Sequence, residues 1–259
     1  MPNLRHYQRR LLCGAAVTWL VLPLTVAAQR ESRAPSPITW HDARLLGAFT
    51  LTSAALMPAA DKELQRVMQR PWVQSSSMFK HTADAFNAYG SPGVFVGSIA
   101  LYATGWASGR PDVARLGLRA WEAIALSGIV TGGIKGIAGR ARPYESPGRP
   151  GDWRLWSGTT NDRRQSFPSG HTTAAFAFAS ALDHELRVSH PDARRWASPL
   201  LYGAAALTGL ARMHSNNHWA SDVVMGAGIG LVSGIVVARF HTDRPNHWID
   251  RHLLPRERP

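Results

Sequence analysis

Phe167-Pro168-Ser169-Gly170-His171-Thr172-Thr173-Ala174-Ala175-Phe176-Ala177-Phe178-Ala179-Ser180-Ala181-Leu182 is the stretch that decides the fold. Its second half is small and apolar, with no period-2 alternation. That pattern suits a tightly packed helix, not a strand. The helix it predicts, about 172–186, is one of six apolar stretches of the same Ala-, Leu-, Gly-, Val- and Ile-rich character. The others run over about 43–60, 92–108, 117–139, 197–211 and 221–240. All six predict helices, so the expected fold is all-α: a single helical-bundle domain with about six core helices. "DKELQRVMQRPW" and "SSSMFKHTADAFNAYG" predict shorter amphipathic helices, with Asp61 and Ser75 or Ser76 as N-caps.

The first half of the stretch asks for a different explanation. A helix that begins at Ser169-Gly170-His171 leaves backbone N–H groups unpaired in its first turn. Together with the positive end of the helix dipole, they form an anion site. Gly170 lets a ligand approach the backbone. Ser169 can cap the helix or donate to an oxyanion, and His171 sits where it could protonate a leaving group. Upstream, in "GGIKGIAGRARPYE", Lys135 and Arg142 are seven residues apart, so both can project from one face. Downstream, in "GLARMHSNNHWASDVVMGAGIG", His218 and Asp222 are four apart and neighbours on a helix face. A carboxylate there can fix the imidazole tautomer and leave Nε2 free to attack. Arg212 lies six residues before His218. Taken singly, each feature has a plainer reading: an ordinary N-cap with a surface histidine, a snorkelling lysine, a structural ion pair. Together they form a set of cations, histidines and a helix N-terminus that suits a phosphoryl group.

The remainder of the chain sets the context. The 259 residues carry a formal charge of +12, which favours anionic partners: phosphates, acidic lipid headgroups or, least of all given the missing motifs, nucleic acid. Residues 1–28 combine Arg5, Arg9 and Arg10 with an uncharged apolar run ending Val26-Ala27-Ala28 and read as a secretory signal peptide; an uncleaved anchor is the alternative. Cleavage would lower the charge to +9 and remove Cys13, the only cysteine, which excludes thiol chemistry from the mature chain. Residues 29–41 read as a linker, 42–240 as the bundle domain and 241–259 as a basic surface tail. Between Gly139 and Phe167 lies a long Gly-, Pro- and Arg-rich loop, of a kind that is often functional. The uncharged runs 196–211 and 223–238 have 16 residues each, short of the roughly 20 a spanning helix wants. Among the other histidines, His214 could line the site, while His184, His190, His241, His247 and His252 read as surface residues. Trp153 and Trp156 could flank a substrate group or anchor the loop.

In order and spacing, Lys135…Arg142-Pro143, Pro168-Ser169-Gly170-His171 and Arg212…His218…Asp222 resemble the three-part signature of the type 2 phosphatidic acid phosphatase superfamily. That superfamily includes bacterial acid phosphatases, membrane lipid phosphatases and vanadium haloperoxidases. The resemblance implies a metal-independent phosphatase acting on phosphomonoesters or lipid phosphates, with its active site at one end of the bundle. His218 would be the nucleophile that forms a phosphohistidine, Asp222 its orienting partner and His171 the general acid. Lys135, Arg142, Arg212, Ser169 and Gly170 would bind the phosphoryl oxygens. No metal or cofactor is implied. A vanadate-dependent haloperoxidase and a non-catalytic phosphate or lipid-headgroup binder are the alternatives. Two positions depart from the pattern: Ala211, where Ser is usual, and Asn217, where Gly is common. In six-span relatives the first motif follows the third span and faces outside. Six spans after a signal segment would put it in the cytoplasm, so a periplasmic, soluble or loosely attached protein is expected, with an integral membrane protein as the alternative.

Overall fold

The computed structural model describes residues 36–245 and 247–256 of the chain; the expected signal peptide lies outside them. Helices α1 (Trp40–Ala59), α2 (Asp61–Met68), α3 (Pro71–Gln74) and α4 (Ser77–Ala88) lead to the bundle proper. It consists of α5 (Val94–Ser108), α6 (Pro111–Ala138), α7 (Gly170–Ser189), α8 (Pro191–His214) and α9 (Ala220–Asp243), with α10 (Trp248–Leu253) after it. There is no strand among the described residues.

Local chemistry sets the ends. Helix α1 starts on a capping box: Asp42 N–H donates to Thr39 Oγ1 and Thr39 N–H returns a bond to Asp42 Oδ2 at 2.7 Å. The helix therefore begins at Trp40, inside the stretch expected as linker. Pro111 and Pro191 occupy the first turns of α6 and α8, where a missing N–H costs nothing, and Asp112 and Asp192 complement the dipole. Ser76 caps α4. Asp61 is not a cap; it is the first residue of α2, fully buried, and points at an arginine described below.

Helix α7 is the centre of the bundle, flanked by α6, α8 and α9. It buries Ala174, Ala177, Phe178, Ala181 and Leu182 against Leu116, Ala120, Ile124 and Val237. Its contact with α9 is close because Gly226, Gly230 and Gly234 recur every fourth residue along it; a Cβ on Gly230 would lie 2.3 Å from the Thr173 carbonyl oxygen. The end opposite the N-terminus of α7 is closed by a charged clamp. Buried Arg119 donates to Asp250 at 2.6 Å and to Glu122 at 3.3 Å, and His241 lies 2.8 Å from Glu122 and 3.2 Å from Asp250. This corrects two expectations. His241 is buried and not on the surface, and the segment after residue 240 is no simple surface tail, because α9 continues to Asp243 and α10 is tied down through Asp250.

Candidate active site

The last turns of α6 and α8 and the first turns of α7 and α9 bring the sequence-predicted residues to one end of the bundle. Lys135 lies in the last turn of α6, which Gly139 terminates at φ 58°. A Cβ there would sit 1.8 Å from the Arg154 carbonyl oxygen, so glycine is required on both counts. The chain leaves through Arg140, Ala141 and Arg142, held by bonds from the Ala141 N–H to the Asp152 carbonyl and from the Arg142 N–H to the Arg163 carbonyl. Asn216, at φ 55°, makes the turn that carries the chain from Arg212 to His218.

Lys135 Nζ donates to the Gln165 carbonyl. Arg142 donates to the carbonyls of Asp162 at 3.0 Å and Asn217 at 3.4 Å. Arg212 Nη1 donates to Asn87 Oδ1 at 3.0 Å, while its Nε is buried with no hydrogen-bond partner. None of the three cations forms an ion pair with a carboxylate among the described residues, although they are close enough to perturb one another. Burial, with the charges of Arg142 and Arg212, pushes Lys135 down to about 7 against the opposing pull of Asp222. Burial and Arg142 lower Arg212 to about 10. A half-buried cluster of like charges is costly unless an anion completes it.

His171 stands in the first turn of α7. Burial, then Arg212, Lys135 and Arg142, push it down to about 4. Gly170 opens the same turn; a Cβ on it would be 3.7 Å from Lys135 Cε. Ser169 is fully buried, makes no side-chain cap and bonds its hydroxyl to Thr172 Oγ1 at 2.9 Å. Its N–H donates to the Asp222 carbonyl at 3.0 Å, which ties the start of α7 to the start of α9.

His218 is 4% exposed, and its Nδ1 is 2.6 Å from the Ser166 carbonyl oxygen. A carbonyl only accepts, so Nδ1 carries the proton and Nε2 keeps its lone pair. Asp222 Oδ2 lies 3.6 Å from the same Nδ1 and accepts from Trp219 N–H and the Ser166 hydroxyl. Burial, offset only in part by Asp222, takes His218 down to about 3, which keeps the ring neutral. Burial also works to raise Asp222, but Arg140, His218 and Ser166 outweigh it and hold the carboxylate at about 2.

Arg140 was not singled out by the sequence motifs. It is fully buried, donates to both Asp222 and Asp61, the latter at 2.8 Å, and to Ser221 Oγ at 2.7 Å and the Pro150 carbonyl. Its guanidinium stacks on Trp153 at 4.8 Å and Trp219 at 5.6 Å. Trp153 is therefore a loop anchor, packed on Arg140 and Phe167, whereas Trp156 is 63% exposed. Asp61 also accepts bonds from the Ser221 N–H and the Ser221 hydroxyl. Asn87, which orients Arg212, and Ser166, which orients His218, were likewise missed. No local pattern marks them, because their partners lie 125 and 52 residues away. Of the two departures from the motif, Ala211 is simply buried, and Asn217 lends its backbone carbonyl to Arg142. His214 accepts bonds from Gln69 and Gln74 on its carbonyl and buries Nε2 without a partner.

Residues 116–246 match the PAP2 superfamily. Over 69 residues the chain is 44% identical to the lipid A 1-phosphatase of Porphyromonas gingivalis; that match covers 27% of this chain and 15% of the relative's length. Among solved structures, a transmembrane PAP2-type phosphatidylglycerolphosphate phosphatase from Bacillus subtilis shares the fold. The TM-score is 0.56 at 19% identity, covering 80% of this chain and 98% of that one.

Proposed function

The chain belongs to the PAP2 superfamily, and from that premise we propose that it is a metal-independent phosphatase working through a phosphohistidine on His218. The observation that carries this reading is the group of Lys135, Arg142 and Arg212, unpaired by carboxylates, around a neutral histidine whose Nε2 is free. A phosphate ester supplies the charge those cations lack. They bind its non-bridging oxygens, with the Gly170 N–H, Ser169 and the dipole of α7 beside them.

His218 Nε2 attacks phosphorus as the bond to the ester oxygen breaks. His171, protonated, gives its proton to the departing oxygen. The imidazolium formed on His218 keeps its Nδ1 proton on the Ser166 carbonyl and is stabilised by Asp222. Neutral His171 then takes a proton from water, whose oxygen attacks phosphorus. Breaking the P–N bond restores neutral His218 and releases inorganic phosphate. His171 must be charged in the first step, although burial and the three cations hold it at about 4. The bound dianion offsets the three cations that depress it and raises it.

The substrate class we propose is a lipid phosphate, a reading supported by the likeness to a lipid A 1-phosphatase and to a phosphatidylglycerolphosphate phosphatase. The location we favour is outside the cytoplasmic membrane and in contact with a membrane surface. Phosphate release by the purified protein, with and without EDTA, tests the proposal. EDTA-resistant release that His218→Ala abolishes supports it. Release that EDTA removes, or that survives His218→Ala, overturns it.

A further inference from the structure

A crevice of about 300 Å³ leads away from Lys135, Gly170 and His171 between α5, α6 and α7. On α6 its wall is Ile124, Ser127, Gly128, Thr131, Gly132 and Lys135, one helix face. Eleven residues separate its ends, about 16 Å of helix. The far end is bounded by Phe95, packed edge-on against Trp121.

The three hydroxyl side chains that α6 and α7 place along the crevice are already bonded to the protein; Ser91 is the other polar wall residue away from Lys135 and His171. Ser127 donates to the Ile124 carbonyl at 3.0 Å, Thr131 to Thr173 Oγ1 at 3.4 Å, and Thr173 to the Ser169 carbonyl at 2.8 Å. What they present to the crevice is carbon. The glycines carry a second message. Glycine inside a helix is less favourable than alanine. Packing accounts for Gly117, where a Cβ would be 2.3 Å from the Tyr102 nitrogen, as it does for Gly230. At Gly128 and Gly132 a Cβ would meet nothing within 4 Å. Packing within the chain does not require glycine there, yet both residues open the crevice.

We infer that this crevice holds the hydrophobic chain of the substrate, so that the enzyme selects phosphate monoesters by their tail as well as their head. The inference rests on the phosphatase reading of the same site. A cationic pocket at one end and a carbon-walled slot running from it match an amphiphile with an anionic head. Ile129 and Val130, exposed beside the slot, continue the apolar surface outward.

The test is kcat/KM for butyl, hexyl, octyl and decyl phosphate, each below its micelle concentration. For the wild type we expect a rise of about fourfold per added methylene until the crevice is filled. Gly128→Leu, which fills the slot two turns from Lys135, should lower the octyl-to-butyl ratio roughly 16-fold, the worth of about two buried methylenes. Gly128→Ala should fall between. Gly133→Leu adds the same side chain into open space off the crevice and should keep the wild-type ratio. A wild-type rate indifferent to chain length, or a ratio unmoved by Gly128→Leu, overturns the inference while leaving the phosphatase reading intact. Absence of release from every ester overturns the phosphatase reading itself, and the inference with it. If Gly128→Leu dissociates an oligomer and leaves the ratio alone, the slot is a subunit contact and the inference fails.

Discussion

Arg140 shows how much of the site depends on a side chain that never meets the ligand crevice. It neutralises Asp222 and Asp61 where none of the three side chains is exposed to solvent. Removing one partner of a buried pair leaves a bare charge, at a cost of about 3–5 kcal/mol. Arg140→Gln should lose that much in urea unfolding, and Arg140→Leu with Asp61→Leu should recover part of it; a loss under 1 kcal/mol would contradict this account. The pKa shifts give a second expectation. His218 and His171 both titrate below the ordinary value of about 6.5, so between that pH and about 4 the unfolded chain binds more protons than the folded one. Stability is therefore fully present above pH 6.5 and falls as pH drops through this window. Thermal melts should show this, with a flatter profile in His218→Gln. Lys135, held at about 7 by burial and by Arg142, should lose charge as pH rises, so KM should climb on the alkaline side and Lys135→Arg should delay the climb. The motif residues were legible in the sequence because their spacing is local. Arg140 lies between Lys135 and Arg142 in the same motif, yet its role is not legible there, because its partner Asp61 lies 79 residues upstream and only the fold joins them.

Helices were the most legible elements. Six Ala- and Gly-rich stretches could be read as helices from composition alone, and α1, α5, α6, α7, α8 and α9 stand where they were expected. Their ends were less legible. The start of α1 depends on a box between Thr39 and Asp42 that is also held by Arg239 from α9, and α10 is fixed by Arg119 and His241 from two other helices. Such ends are decided by tertiary partners, not by the local pattern. The glycines separate in the same way: composition does not tell a packing glycine from an idle one. Gly230→Ala forces a Cβ into the Thr173 backbone and should destabilise by about 1–3 kcal/mol. Gly203, exposed on α8 with open space around it, should gain up to about 1 kcal/mol as alanine. Equal effects at the two positions would contradict the packing described for α7 and α9.

On the scale of the whole molecule, large apolar side chains face outward on several helices. Trp40, Leu51, Ile129, Trp196 and Leu200 are each more than 70% exposed. Among the described residues one helix, Ala220–Asp243, is long and apolar enough to cross a membrane, and about half of it is buried in the bundle. Hydrophobic runs in the sequence could not distinguish these cases, because a core helix and a lipid-facing one have the same composition; only burial separates them. With a charge of +12 the protein should float with anionic vesicles, with partial release by high salt and full release by detergent. Recovery of all the protein in the unbound fraction at low salt would rule out a membrane surface as its working place.

The central claim is the covalent intermediate on His218. Rapid quenching of wild-type protein mixed with a radiolabelled phosphomonoester, followed by peptide mapping, tests it most directly. The account predicts an acid-labile, alkali-stable phosphate on the peptide bearing His218, formed no more slowly than turnover and absent from His218→Ala. Phosphate release without any labelled protein at times shorter than one turnover, or label on another residue, would contradict it.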